Sequence, residues 1–241
     1  MWSIFKKEVA SFFNSLIAYI VIGVFLLLNG WLFWLYPETS ILDYGYAEMD
    51  AFFEMCPYVL LFFVPAVTMR MFSEEIRSGT LDFLLTRPLS LWGVIMGKYL
   101  SCVLILALAL LPTLVYYFSL YSLGNPVGNI DSAAVAGSYF GLLLLAAVYA
   151  AVGLYLSSLT KNQVVAFLVA ALACYLLFIG LEQLSTLFSG AGQYSIAQLG
   201  LYAHFKAMGK GVLDSRDLVY FLSVAFLFLL LTYLSLNNYR K

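Results

Sequence analysis

Six apolar runs, each close to the length of a bilayer crossing, govern what this chain can become. A helix needs about 20 predominantly apolar residues to traverse the hydrocarbon core of a membrane. That ruler gives spans at 15–36, 55–72, 91–121, 133–156, 163–181 and 218–236. Only 10% of the 241 residues are charged and 63% are hydrophobic, whereas soluble domains carry about 25% charged residues. Such a surface cannot be wetted in the ordinary way, because backbone and apolar side chains need lipid or protein around them. The expected fold is a single all-α integral membrane domain over 1–241.

The distribution of charge gives an orientation. With the N-terminus in the cytoplasm, the inner side holds Lys6, Lys7, Arg70, Arg77, Arg87, Lys98, Lys161, Arg240 and Lys241, and the outer side only Lys206, Lys210 and Arg216. The excess of lysine and arginine on one side marks the cytoplasmic face. The loop between the first two spans has Glu38, Asp43, Glu48, Asp50 and Glu54 and no base, so it faces outward. Trp31, Trp34, Tyr36, Tyr44 and Tyr46 mark the same outer boundary as an aromatic belt. Both ends are expected inside. The first apolar run is too long for a signal peptide core and has no clear cleavage site, so it reads as an anchor.

Ahead of that run, residues 2–13 form an amphipathic pattern. Trp2, Phe5, Val9, Phe12 and Phe13 share one side of a helical wheel, with Lys7, Glu8 and Ser11 opposite and Ile4 off the stripe. An aromatic, lysine-bearing helix of this kind lies in the membrane interface. Residues 185–217 form the other exception: a broken amphipathic pattern with glycines and several basic or titratable side chains. A seventh span would expose these to lipid, so re-entrant or interfacial helices are expected before the sixth span.

Several kinds of chemistry are excluded. There is no basic face for nucleic acid. Cys56, Cys102 and Cys174 stand singly in apolar stretches, with no paired spacing, so neither a disulfide nor a metal site is expected. Gly93 to Tyr99 (GVIMGKY) lacks the spacing and the hydroxyl residue of a phosphate-binding loop, so this chain itself binds no cofactor. Gly93 with Gly97, and Gly137 with Gly141, have instead the spacing that lets helices approach closely. His204, the only histidine, has no second His or Cys nearby and reads as structural. Glu182 ends the fifth span near the outer surface and is the candidate for an outer gate. The spans carry no paired ionisable groups at mid-depth, against an ion-driven carrier, and no nucleophile–base constellation, against an enzyme.

The longest polar interruption bearing basic residues is 73–90, between the second and third spans. Leu81, Leu84 and Leu85 form a leucine stripe on a short helix, with Gly79-Thr80 as its start and Arg87-Pro88 as its stop. A leucine-faced helix held between two spans suits another protein's groove. The run Glu74-Glu75-Ile76-Arg77-Ser78-Gly79-Thr80-Leu81-Asp82-Phe83-Leu84-Leu85-Thr86-Arg87-Pro88-Leu89-Ser90, followed by Gly97-Lys98, resembles the first cytoplasmic loop of ABC-2 type transporter permeases. It is most similar in character to gliding-motility-associated permease subunits and their relatives in copper-site maturation. The resemblance implies a multi-pass subunit of the bacterial inner membrane, working as a homodimer or with a related permease. It implies two ABC ATPase subunits at the cytoplasmic face, where ATP and Mg would be bound and hydrolysed. By carry-over, Glu74, Glu75, Gly79, Thr80, Leu81, Leu84, Leu85 and Pro88 form the coupling helix and its hinges, and Lys161 lies in a second, smaller contact. The alternative is a non-transporting membrane scaffold that anchors an ATPase or a motility complex.

Overall fold

A computed structural model describes residues 1–37, 40–41, 48–81, 90–188, 191–211 and 214–239. Within them the chain is helical throughout, and six helices are long and apolar enough to cross a membrane. It opens with α1 (Trp2–Phe13) and continues as α2 (Leu16–Trp34). The second span is α3 (Asp50–Thr68) followed, after a break at Met69, by α4 (Arg70–Ser78). The third is α5 (Leu91–Leu110), a 3-10 turn containing Pro112, and α6 (Leu114–Leu123). The fourth is α7 (Ser132–Ser157). The fifth is α8 (Gln163–Tyr175), a wide π-type turn at Leu176–Gly180, and α9 (Leu181–Ser185). Two short helices, α10 (Ala191–Ala197) and α11 (Leu201–Met208), precede the last span, α12 (Ser215–Tyr239).

Helix α7 is the axis of the bundle: α3, α5, α8, α11 and α12 all pack on it. In its most apolar window 67% of residues are buried, against 22% for α2, the fifth span and α12, whose remaining apolar surface is available to lipid. Small residues make the central position possible, because without a hydrophobic drive between helices close backbone approach supplies the contact. At Gly153 a Cβ would lie 2.1 Å from Thr68 Oγ1, so α3 crosses α7 at a point only glycine fits. At Gly137 an added Cβ would lie 2.7 Å from the Met208 carbonyl oxygen, so α11 rests directly on the start of α7.

The bundle has two distinct ends. At the terminal end lie α1, α4, the start of α5, the α7–α8 turn and the end of α12. At the far end lie the start of α3, the α6–α7 connection, α10 and α11. One expectation is corrected. The second span does not stop at 72, because α4 carries the helix on to Ser78, so 73–78 is helical and not loop. Gly79 closes α4 in the left-handed conformation (φ 68°), which glycine adopts without penalty, and Thr80 and Leu81 are helical directly after it. Leu84, Leu85 and Pro88 of the leucine stripe, with Arg87, lie outside the described residues, as do Tyr44 and Tyr46 of the aromatic belt.

Candidate coupling site

Three elements converge at the terminal end on one lysine. Lys98 enters α5 in its second turn, where an apolar neighbourhood would leave an ammonium stranded. Its side chain is 1% exposed, and its Nζ donates to Glu8 Oε1 at 3.0 Å, Glu75 Oε1 at 2.9 Å and the Met71 carbonyl at 2.8 Å. An ammonium has three donors, and all three are used. The same nitrogen lies 5.1 Å from the Phe72 ring centroid. Lys7, on the solvent side, stands 3.5 Å from Glu8 Oε1 and 3.6 Å from Glu75 Oε1. Two acids and two lysines thus balance, and α1, α4 and α5 are tied at a single point. The second oxygen of Glu75 is buried with no hydrogen-bond partner among the described residues.

Glycine makes room for this junction. A Cβ at Gly97 would lie 3.0 Å from the Met1 carbonyl oxygen and 3.1 Å from Ile4 Cβ, so α1 is laid against α5 at backbone distance. The face of α1 turned to the bundle is Ile4, Glu8 and Phe12, of which Ile4 and Phe12 are buried. Of the aromatic stripe read from the sequence, Phe12 shares this buried face and Phe13 packs against the core, while Trp2 is exposed and stacks on Phe5. Ile4, off that stripe, is buried with Phe12.

A second fastening holds the break in the second span. Pro65 offers no N–H to the helix, and the backbone interrupts at Met69 before α4 resumes. The Ser157 hydroxyl, from the end of α7, accepts from Phe72 N–H and Ser73 N–H, each at 3.1 Å, and donates to the Met69 carbonyl at 2.9 Å. The first turn of α4 is therefore capped from another helix.

Of the sequence-read residues, Glu75 lies in the ion cluster, while Glu74 is exposed on the opposite side of α4. Gly79 caps α4, Thr80 exchanges a 2.9 Å hydrogen bond with Ser78, and Leu81 is buried at 3% exposure. Lys161 is exposed in the α7–α8 turn at the same end, next to Asn162, which caps α8. Glu182 is apart from all of these, half-buried at the far end, where it and Glu54 are electrostatic neighbours of the Tyr58 hydroxyl. His204 also lies there. Its Nδ1 is 2.6 Å from Asp217 Oδ1, its Nε2 2.8 Å from the Gln198 carbonyl, and its ring stacks on Tyr220. Nδ1 and the ring face thereby hold α11 against α12, and Nε2 ties α11 to the turn that precedes it. Among the described residues no group of three or more His, Cys, Asp or Glu could hold a metal ion.

Glu8 and Lys7 were not singled out from the sequence as a site, while Lys98 entered only as an inner-side base and the end of the motif that carries the resemblance, and Ser157 only as the first residue of the 157–163 loop of the second contact. Lys98 carries the one usable signal, a lysine inside an apolar helix, which needs an acid brought from elsewhere in the chain.

A profile described as ABC-2 family transporter protein matches residues 2–238. The chain belongs to the ABC-2 transporter family. No curated protein matches it. This ABC-2 chain is accordingly a multi-pass membrane permease subunit of an ABC transporter, from a family of generally non-catalytic membrane components that partner ABC ATPase subunits. The family match extends from α1 through nearly all of α12, so the ion cluster and the Ser157 cap both lie within it.

Proposed function

We propose that this subunit converts ATP hydrolysis by two docked ATPase subunits into tilting of its second and third spans, for export or mechanical work. The terminal end is cytoplasmic on this reading, in the inner membrane of a bacterium, with ATP and Mg held by the partners. Residues 73–90 receive the ATPase through Leu84 and Leu85, with Leu81, itself buried in the subunit, as the anchor of the stripe, Glu74, Thr80 and Pro88 at its edges and Lys161 as a lesser contact. The observation that carries the proposal is the buried Lys98 cluster. A push delivered beyond Gly79 reaches α5 through Glu75–Lys98 and reaches α3 and α7 through the Ser157 cap, so it cannot be absorbed by a slack loop. A second permease copy, identical or related, completes the path, and Glu182 gates it at the opposite end. The likeness of 74–90 to gliding-motility permeases favours mechanical work in the cell envelope.

The test is co-purification of the co-expressed ATPase with Leu84→Asp and Leu85→Asp. A carboxylate in an apolar groove costs several kcal/mol, so the ATPase should be lost while membrane insertion persists. Unchanged recovery of the ATPase with both variants would refute docking through this stripe.

A further inference from the structure

At the far end, the start of α3, the start of α7, the wide turn after α8 and α11 enclose a cavity of about 200 Å3. Its walls are sorted by charge. Asp50 and Glu54, one turn apart on α3, supply carboxylates, and Lys206 and Lys210 supply ammonium groups from the end of α11 and just beyond it. Among the described residues, none of these four forms an ion pair. All four are exposed at the mouth of this open pocket, and Lys206 Nζ lies 5.7 Å from the Tyr202 ring centroid; together they give the mouth a negative and a positive side.

Ser138 points to a ligand independently. It lines the cavity and is only 4% exposed, yet its hydroxyl has no hydrogen-bond partner among the described residues. The oxygen reaches the open space of the pocket, although helical serines commonly bond back to a carbonyl one turn earlier. Ser78 and Ser119 do so in this chain, but Ser138 does not. The apolar floor is Phe178, from the π-type turn; such widened turns recur at functional sites.

Size and hydrogen bonding together select the occupant. At about 30 Å3 per water-sized group, the pocket holds roughly six or seven non-hydrogen atoms, with an open mouth beyond them. That is close to the size of phosphoethanolamine, whose ammonium also donates hydrogen bonds to carboxylates; phosphocholine is three methyl groups larger and its quaternary nitrogen donates none. A phosphate also matches two lysines better than a single carboxylate would. We propose that this cavity binds phosphoethanolamine, with the ammonium on Asp50 and Glu54, the phosphate on Lys206 and Lys210, and the Ser138 hydroxyl donating to a phosphate oxygen. The group is supplied either as the headgroup of a phospholipid or as the free zwitterion. The inference does not rest on the coupling proposal, since no ATPase is needed for binding.

Native mass spectrometry of the full chain in detergent tests it, with short-chain lipids bearing ethanolamine, choline or glycerol headgroups as probes. The ethanolamine lipid should be retained about tenfold more strongly than either of the others. Asp50→Asn with Glu54→Gln should erase its advantage over the glycerol lipid, and Lys206→Gln with Lys210→Gln should weaken retention about tenfold. Free phosphoethanolamine that displaces the lipid shows that the zwitterion alone suffices. Failure to displace it, with the headgroup preference intact, assigns the site to lipid. Retention of all three lipids within about twofold by the unmodified chain overturns the proposal, and that comparison decides even if a variant fails to fold. A preference that survives the loss of both acids overturns it as well.

Discussion

Lys98→Met is the sharpest perturbation of the ion cluster, because methionine keeps the length and apolar stem and deletes only the charge. The variant leaves Glu8 and Glu75, whose side chains are 12% and 15% exposed, facing each other without the buried cation. Removing one partner of a buried pair costs about 3–5 kcal/mol. Lys7 stays within 3.6 Å of both carboxylates, but it is 64% exposed, and an exposed pair contributes about 0–1 kcal/mol. The expected loss is therefore about 3 kcal/mol. For chains of this length each kcal/mol moves Tm by about 2–4 °C, so detergent-solubilised Lys98→Met should unfold about 6–12 °C below the parent. The decisive companion is Glu8→Gln/Glu75→Gln/Lys98→Met, in which no charge remains to be stranded. Neutral replacement of a whole buried network is often close to neutral in stability, so the triple variant should recover most of the loss. A single variant within about 1 °C of the parent, or a triple variant less stable than the single, would refute the claim that this lysine is held by paired charge in a dry site.

Three further outcomes follow from the packing. Ser157→Ala strips the acceptor from two backbone N–H groups and the donor from the Met69 carbonyl, which should cost about 1–3 kcal/mol in thermal unfolding and leave ATPase co-purification unaltered. Gly153→Ala puts a Cβ 2.1 Å from Thr68 Oγ1 and 2.9 Å from Thr68 Cβ, an overpacking of about 1–3 kcal/mol. Adding Thr68→Ala should restore only part of it, because the Cβ clash remains, and full restoration would count against so close a crossing. His204→Phe keeps a ring on Tyr220 but strands Asp217, with an expected loss of about 1–3 kcal/mol. Adding Asp217→Asn to His204→Phe should recover stability.

The number of spans was legible because it depends on length and apolar content alone, and lipid imposes that requirement on every crossing. Which span stands at the centre was not. The fifth span is the most apolar of the six and among the least buried, since hydropathy measures fitness for lipid and says nothing about which face meets protein. The informative signal was composition of another kind: α7 is rich in alanine and glycine, which costs it nothing in hydropathy and lets neighbours approach its backbone. The end of the second span was misjudged for a related reason. Ser73, Glu74, Glu75 and Arg77 look like the beginning of a loop when scored against lipid, but a helix may continue past the bilayer wherever a partner such as Ser157 satisfies its backbone.

The candidate coupling site was half-visible for a physical reason that bears on the proposed coupling. On the wheel of α1 the aromatic residues dominate, so that face was assigned first, yet only its Phe12 and Phe13 meet the protein while Trp2 is exposed. The protein-facing positions Ile4, Glu8 and Phe12 are interrupted by an acid, which reads as solvent until Lys98 is seen beneath it at 3.0 Å. Charge counting places Lys98 with the basic residues that set orientation, yet a residue 1% exposed contributes little to that bias through water. Its charge is instead spent locally, on two acids brought from helices 90 and 23 residues away in sequence. A hydrophobic contact there would tolerate sliding, whereas an ammonium with all three donors engaged does not. If residues beyond Gly79 move against the membrane, α1, α4 and α5 must move together or break those bonds, and that is the property a transmitting joint requires.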